Sequence, residues 1–279
     1  MNPAFAYYGG KAGLARTIVS LFPSHRVYIE PFAGSLSVLF AKKPAQHEIV
    51  NDLDEAIVNF YRVLRDRPDE LGRACELSPH SRTEFYRADC DAADVDDLER
   101  ARRWFVRVTQ SFSKTGKLSS GWSVSSHRSH PLSIGTLNKI ARFAQVAERL
   151  RTVTLECCDA TDIVRRLATP DAVVYVDPPY VPSTRASRVK RASDYHIEMD
   201  DAGHIRLSEA LRATPATVVV SGYPSALYDQ LYGDWQRVDF QVFASSSNHS
   251  RSDRGHRTEV LWSNRPFAVG PLFAARGAA

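Results

Sequence analysis

The sequence predicts an α/β protein built on a largely parallel sheet, and three observations predict it. Val173, Val174, Tyr175 and Val176 form an apolar run that stops at Asp177, Pro178, Pro179 and Tyr180; such a run marks a strand buried on both faces. Residues 27–41 read as strand, tight small-residue loop and helix, the opening of a nucleotide-binding α/β unit. From residue 153 onward strands alternate with helical stretches and close on a β pair. That order argues for seven strands with the last antiparallel.

Bulk properties bound the answer. The 279 residues suffice for one α/β domain with an insertion, or for two modest domains. With 43% hydrophobic and 24% charged residues, the composition is that of a soluble globular protein. Neither a membrane-length apolar run nor a signal-peptide pattern is found, so a cytoplasmic location is expected. The net charge of +4 is mildly basic, and its distribution says more about nucleic acid than its size. Cys75, Cys90, Cys157 and Cys158 lack CxxC spacing and are expected as reduced thiols.

At the N-terminus, Tyr7-Tyr8-Gly9-Gly10-Lys11 leads into a helix expected to run to about residue 22. An aromatic and a lysine there suit an adenine face and a carboxylate; a simple flexible turn is the alternative. The strand 27–30 ends on Glu30, followed by Pro31-Phe32-Ala33-Gly34-Ser35 and a helix over 36–41. With Gly34 alone, this loop lacks the GxGxxG dinucleotide fingerprint, which disfavours a nicotinamide dehydrogenase. A second strand, 49–52, ends on Asp52, 18 residues past Gly34, where an acid suits ribose hydroxyls. Capping the helix 55–64 is the competing role for Asp52, although Asp54 can fill it.

From about residue 65 to 150 the strand pattern gives way to short helices. The clearest covers 98–112, with Ala101, Trp104, Phe105, Val108 and Phe112 on one face and Arg100, Arg103 and Arg107 on a solvated one. The polar stretch 111–123 that follows, with Lys114, Lys117 and Trp122, and Arg128 beyond it, has the look of a DNA-reading hairpin or loop. His127 and His130 lack nearby Cys or acidic partners, so no metal is expected.

A third strand, 153–157, is followed by Asp159, which suits either a cofactor adenine or the cap of a helix over 161–167. Beyond the Asp177 tongue, Arg185, Arg188, Lys190 and Arg191 form a basic loop better explained by phosphates than by solvation. A helix over 200–212, a strand over 217–221 and a helix over 225–232 come next. Strands at 238–243 and 258–262 are joined by a connector in which Arg251, Arg254 and Arg257 face a single acid, Asp253, a second candidate phosphate contact.

The tongue itself suits methylation of an exocyclic amine. Such an amine is a poor nucleophile because its lone pair is delocalised into the base. The Asp177 carboxylate and the Pro178 carbonyl form an acceptor pair able to hold both amine hydrogens and localise that lone pair. Pro178 and Pro179 stiffen the tongue, and Tyr180 supplies a flat face for an extruded base. A capping Asp and an ordinary packed Tyr are the bland alternative.

In their order, Tyr7-Tyr8-Gly9-Gly10-Lys11, Glu30-Pro31-Phe32-Ala33-Gly34, Asp52, a helical insert and Asp177-Pro178-Pro179-Tyr180 resemble the Dam-type (D12 class, α arrangement) DNA adenine-N6 methyltransferases. The closing Arg257-Thr258-Glu259-Val260-Leu261-Trp262 looks like that family's last strand, especially in phage and prophage members. The resemblance implies a Rossmann-like S-adenosylmethionine-dependent methyltransferase sheet with a mostly helical target-recognition insert. It divides the chain into a catalytic part, 1–64 and 151–279, and the insert, 65–150. It implies S-adenosylmethionine as methyl donor, S-adenosylhomocysteine as product, no metal, and double-stranded DNA bound by a monomer or weak dimer. By position, Tyr7, Lys11, Asp52 and Asp177 match cofactor contacts, and residues 30–34 pass under the methionine portion.

The sequence also departs from the family pattern. Ala6 stands where some relatives carry a basic residue, and the 31–35 loop is poorer in glycine than usual. Gly121-Trp122-Ser123 stands where readers of GATC carry a Pro-Phe-Gly-like turn, so no target sequence follows. Competing readings are a cytosine-N4 or protein-glutamine methyltransferase, and a catalytically silent DNA-binding relative.

Overall fold

The Val173–Val176 run lies in the central strand of the computed structural model, which describes residues 1–93, 95–112, 114–124, 131–184, 197–243 and 256–268. That strand, β4 (Ala172–Val176), is buried at every residue and runs parallel to β1 (Val27–Glu30) and β5 (Thr217–Gly222). On the far side of β1 lie β2 (His47–Asn51) and β3 (Val153–Glu156), also parallel. On the far side of β5 the closing pair, β6 (Gln236–Phe243) and β7 (His256–Ser263), is inserted with β7 antiparallel between β5 and β6. The described residues thus form a seven-stranded sheet in the order β3-β2-β1-β4-β5-β7-β6. Strand bounds agree with the sequence expectation to within two residues.

The order reverses between β1 and β4. The chain builds outward from β1 to β3, then returns to the centre and builds the other way. Loops leaving the carboxyl ends of β1 and β4 therefore diverge to opposite faces and leave a crevice between them, the usual ligand site of open α/β sheets.

Helices cover both faces. One carries α9 (Ala160–Leu167), α10 (Asp201–Ala213) and α11 (Ala226–Tyr232), packed on Ile29, Val174, Val176, Val218, Val220 and Trp262. The other carries α1 (Ala15–Ser20), α2 (Ser37–Ala41), α3 (Glu55–Asp66), α6 (Asp97–Gln110) and α8 (Phe143–Leu150). There Phe60, Trp104, Phe105 and Phe143 join Tyr28 and Val50 in one core, so helices of the 65–150 segment share the sheet's own core. The segment is completed by α4 (Pro68–Glu76), with proline at its first turn, α5 (Arg82–Arg87) and α7 (Leu132–Ile140).

Four local expectations are corrected. Helix α1 begins at Ala15, not at Lys11, because residues 11–14 form a turn closed by Leu14 N–H to the Lys11 carbonyl at 2.8 Å. Helix α2 begins at Ser37 because Leu36 holds a left-handed backbone, φ 53°. Phe112 is 49% exposed: α6 ends at Gln110, and the chain turns extended at Ser111 to bridge Trp122. Arg107 is only 5% exposed and is not on a solvated face; its guanidinium donates to Cys90 Sγ at 2.6 Å and Asp89 at 3.2 Å, pinning the loop before α6.

Buried charge at the edge of β2 is matched locally. Glu48 takes Lys42 Nζ at 2.6 Å and Arg149 Nη2 at 2.8 Å, tying α2 and α8 to the strand. Replacing Glu48 with Ala leaves two cations without their shared partner. The substitution is expected to cost about 3–5 kcal/mol, against less than about 1 kcal/mol for Arg65→Ala at an exposed pair. Urea unfolding of the two variants checks this, and equal costs would contradict it.

Candidate active site

The site forms where four segments meet: the ends of β1, β2 and β4, and the N-terminal residues 7–11. Backbone geometry sets their spacing. Gly34 has a left-handed φ of 45°, and a Cβ on Gly10 would stand 2.9 Å from the Tyr7 carbonyl, so both positions require glycine. The Gly34 carbonyl accepts from the hydroxyl of buried Tyr61 at 2.9 Å.

Asn51 joins three strand ends. Its Nδ2 donates to the carbonyls of Pro31 and Cys158, both at 3.0 Å, and its Oδ1 accepts from Cys158 N–H at 2.9 Å. The sequence reading passed over it as a strand residue. A polar amide inside an apolar strand, one residue before an acid, was the available signal.

Four acids line the cleft, of which Asp54 caps α3 by accepting from Ala56 N–H at 3.0 Å. Glu30 Oε2 accepts from the Tyr28 hydroxyl at 2.7 Å and Leu39 N–H at 3.2 Å. Burial pushes its pKa up to about 8. Asp52 accepts Gly34 N–H and Asp54 N–H, each at 3.0 Å, and burial pushes it up to about 7. Asp177 is raised to about 6, chiefly by burial, with Lys11 pulling it down and Glu259 pushing it up.

Lys11 is the cation among them, at 6% exposure. Its Nζ lies 2.7 and 2.8 Å from the two Asp177 oxygens and 3.0 Å from the Gly9 carbonyl. It also donates to the Tyr180 hydroxyl, which donates in turn to Glu259 Oε1 at 2.6 Å. Glu259 is a second residue the sequence reading left without a role. Tyr180 is only 5% exposed, with its ring edge-on to Tyr223 at 4.5 Å between centroids. It therefore presents no open face in this arrangement. The Pro178 carbonyl accepts no hydrogen bond among the described residues.

Most of the candidate residues converge. Tyr7, Gly9, Gly10, Lys11, Glu30, Phe32, Ala33, Gly34, Asp52, Asp177 and Pro179 line one cleft. Pro31, Phe32 and Asp159 line a second cleft adjoining it at Phe32. Asp159 caps α9, its Oδ1 accepting both Thr161 N–H and Oγ1–H, at 2.7 and 2.6 Å.

The expected DNA-reading stretch is a short hairpin. Phe112 N–H donates to the Gly121 carbonyl at 3.0 Å and Ser123 N–H to that of Gln110 at 2.8 Å. Within it, Lys114 Nζ donates to the Thr109 carbonyl at 2.7 Å. Trp122 donates to Gln110 at 3.3 Å, with the Arg82 guanidinium over its ring at 5.0 Å. Lys117 lies half-buried in the same loop. Arg128, Arg185, Arg188, Lys190, Arg191, Arg251 and Arg254 lie outside the described residues.

The chain is similar to known proteins over most of its length. Residues 7–243 match the model of a family described as D12 class N6 adenine-specific DNA methyltransferase. The chain is 24% identical to the Type II methyltransferase M1.LlaDCHI of Lactococcus lactis subsp. cremoris, over 95% of both chains. It is 25% identical to the DNA adenine methylase of Vibrio cholerae, over 88% of this chain and 89% of that one. Identity to the DNA N-6-adenine-methyltransferase of Escherichia phage P1 is 24%, over 92% of this chain but only 34% of the phage protein.

The raised carboxylates have a measurable consequence. Glu30, Asp52 and Asp177 hold protons more tightly in the fold than in the unfolded chain. Their contribution to stability is therefore present below the ordinary carboxylate range and lost as pH rises through about 6, 7 and 8. Thermal unfolding of the ligand-free protein is expected to shift down between pH of about 5 and about 8.5, and the slope to flatten in Glu30→Gln. A slope unchanged by that substitution would contradict the burial argument.

Proposed function

The chain belongs to the D12 class N6 adenine-specific DNA methyltransferases, and from that premise we propose that its cleft holds S-adenosylmethionine beside an adenine swung out of duplex DNA, with the adenine N6 against Asp177 and Pro178. One observation carries the reading. Asp177, at the end of a fully buried strand, lines a cleft whose acidic side chains outnumber its cation, Lys11.

Those residues suit this cofactor. Buried carboxylates with raised pKa values favour a ligand that brings positive charge, and S-adenosylmethionine carries a sulfonium and an ammonium. Asp52, at the end of β2, is placed for ribose hydroxyls. The neighbouring cleft between Phe32 and Asp159 is the place for the adenine of the cofactor. S-adenosylmethionine, when bound, supplies an electrophilic methyl group whose C–S electron pair leaves on sulfur.

The chain's own residues prepare the nucleophile. Asp177 and the Pro178 carbonyl accept the two N6 hydrogens, drawing the lone pair out of conjugation and toward the donor. The Asp177 carboxylate stabilises the positive charge that develops on N6. It then takes the proton that N6 sheds. Stacking of the extruded adenine on Tyr180 requires the Tyr223 contact to open. Positioning and a preorganised charge supply the acceleration.

The basic loops are read as phosphate contacts, through Arg128, Arg185, Arg188, Lys190, Arg191, Arg251 and Arg254. Lys114 and Trp122 shape the recognition hairpin through their intramolecular contacts, and Lys117 lies beside them. The segment 65–150 carries target recognition on the part that projects beyond the shared core.

Methyl transfer from labelled S-adenosylmethionine to unmethylated DNA, followed by nucleoside analysis, tests this reading. Wild type is expected to yield N6-methyladenine. Asp177→Ala is expected to lose a thousandfold or more, on the order of the largest single electrostatic effects in enzymes. N4-methylcytosine as product, or full activity in Asp177→Ala, would overturn it.

A further inference from the structure

Glu259 lies in the closing strand that the sequence singles out and that the mechanism above leaves unused. We propose that it is a positioning residue: it takes over the Lys11 ammonium when Asp177 turns to the adenine amine. The inference rests on the role given to Asp177 above.

The resting arrangement poses the problem. Both Asp177 oxygens face Lys11 Nζ, at 2.7 and 2.8 Å. A cation held there weakens Asp177 as an acceptor and opposes the positive charge that develops on N6. Asp177 must therefore be released, and Lys11 is too buried to carry its charge into solvent.

Glu259 is the other carboxylate within reach. Its Oε1 lies 3.5 Å from Lys11 Nζ, so a shift of roughly 0.5–1 Å brings the pair to hydrogen-bond distance. The same oxygen already accepts from Tyr180 at 2.6 Å and from Ser221 Oγ at 2.8 Å, which holds it in place. β-sheet register fixes it further, since Glu259 opposes Phe240 on β6 and its neighbour Val260 opposes Gly222 at the end of β5.

With the base seated, each cation then has its own carboxylate. The developing ammonium of N6 pairs with Asp177, and Lys11 pairs with Glu259. A neutral acceptor at 259 satisfies the Tyr180 and Ser221 hydroxyls equally well but cannot balance the lysine charge. The charge, not the hydrogen bonding, is what the transfer step needs.

Single-turnover methylation by the full chain, at saturating DNA and S-adenosylmethionine, compares wild type with Glu259→Gln. The variant is expected to lose about 30-fold in rate, less than the roughly 100- to 1,000-fold of a group that touches the reacting atoms because Glu259 acts through Lys11, while its affinity for S-adenosylhomocysteine and its KM for DNA stay within about threefold. A wild-type rate, or a loss of cofactor affinity matching the loss of rate, would overturn the inference. Should the variant fail to fold, a structure of the wild type with S-adenosylhomocysteine and target duplex decides. Lys11 Nζ on Glu259 supports the inference, and Lys11 still on Asp177 with the base seated overturns it. Failure of the underlying reading is separate, because wild type itself would then form no N6-methyladenine.

Discussion

The ion pair between Lys11 and Asp177 joins residues 166 apart in sequence, and the site exists only once it has formed. Without the ammonium, Asp177 and Glu259 would be two like charges buried around one tyrosine hydroxyl. With it, a carboxylate stays ionisable at the end of a fully buried strand. The cost is that the N-terminal segment cannot be an ornament. Residues 7–11 must close over β4 before the cleft has its walls, and the positive φ of Gly9 and the close approach at Gly10 let them do so.

The same segment reaches the hairpin around Lys114 and Trp122. Tyr8 N–H donates to the Lys114 carbonyl at 3.2 Å, and the Tyr7 ring lies nearly parallel to Trp104 of α6, 6.4 Å between centroids. The cofactor cleft and the hairpin are thus two sides of one wall. Lys114 adopts a left-handed backbone, φ 61°, and its ammonium donates to the Thr109 carbonyl. That backbone geometry is invisible in the sequence.

Periodicity explains what was legible. The strands, the Asp177 tongue and the acids of the cleft follow from runs of β-branched residues ending on an acid, a signal that is local and strong. Residues that act across the fold gave weaker signals. Asn51 ties three strands with one amide, Tyr61 reaches the Gly34 carbonyl from α3, and Glu259 meets Asp177 only through Lys11 and Tyr180. Arg107 obeys helical spacing yet is drawn inward by Cys90 and Asp89, because an ion pair outside the helix overrides its face. Leu36 shows the opposite limit: a buried leucine forced to φ 53° so that the loop after Gly34 can turn into α2.

These parts differ in stiffness, and the difference is chemically useful. Asp177 and the Pro178 carbonyl follow a strand buried on both faces, and two residues with locked φ stiffen the segment, so the acceptor pair of the proposed mechanism is preorganised. The counter-ion is a long, flexible lysine side chain standing between two carboxylates. In the proposed mechanism, fixing the acceptor and letting the cation move places the reorganisation on the group that does not touch the amine, so that the sheet sets the nitrogen chemistry.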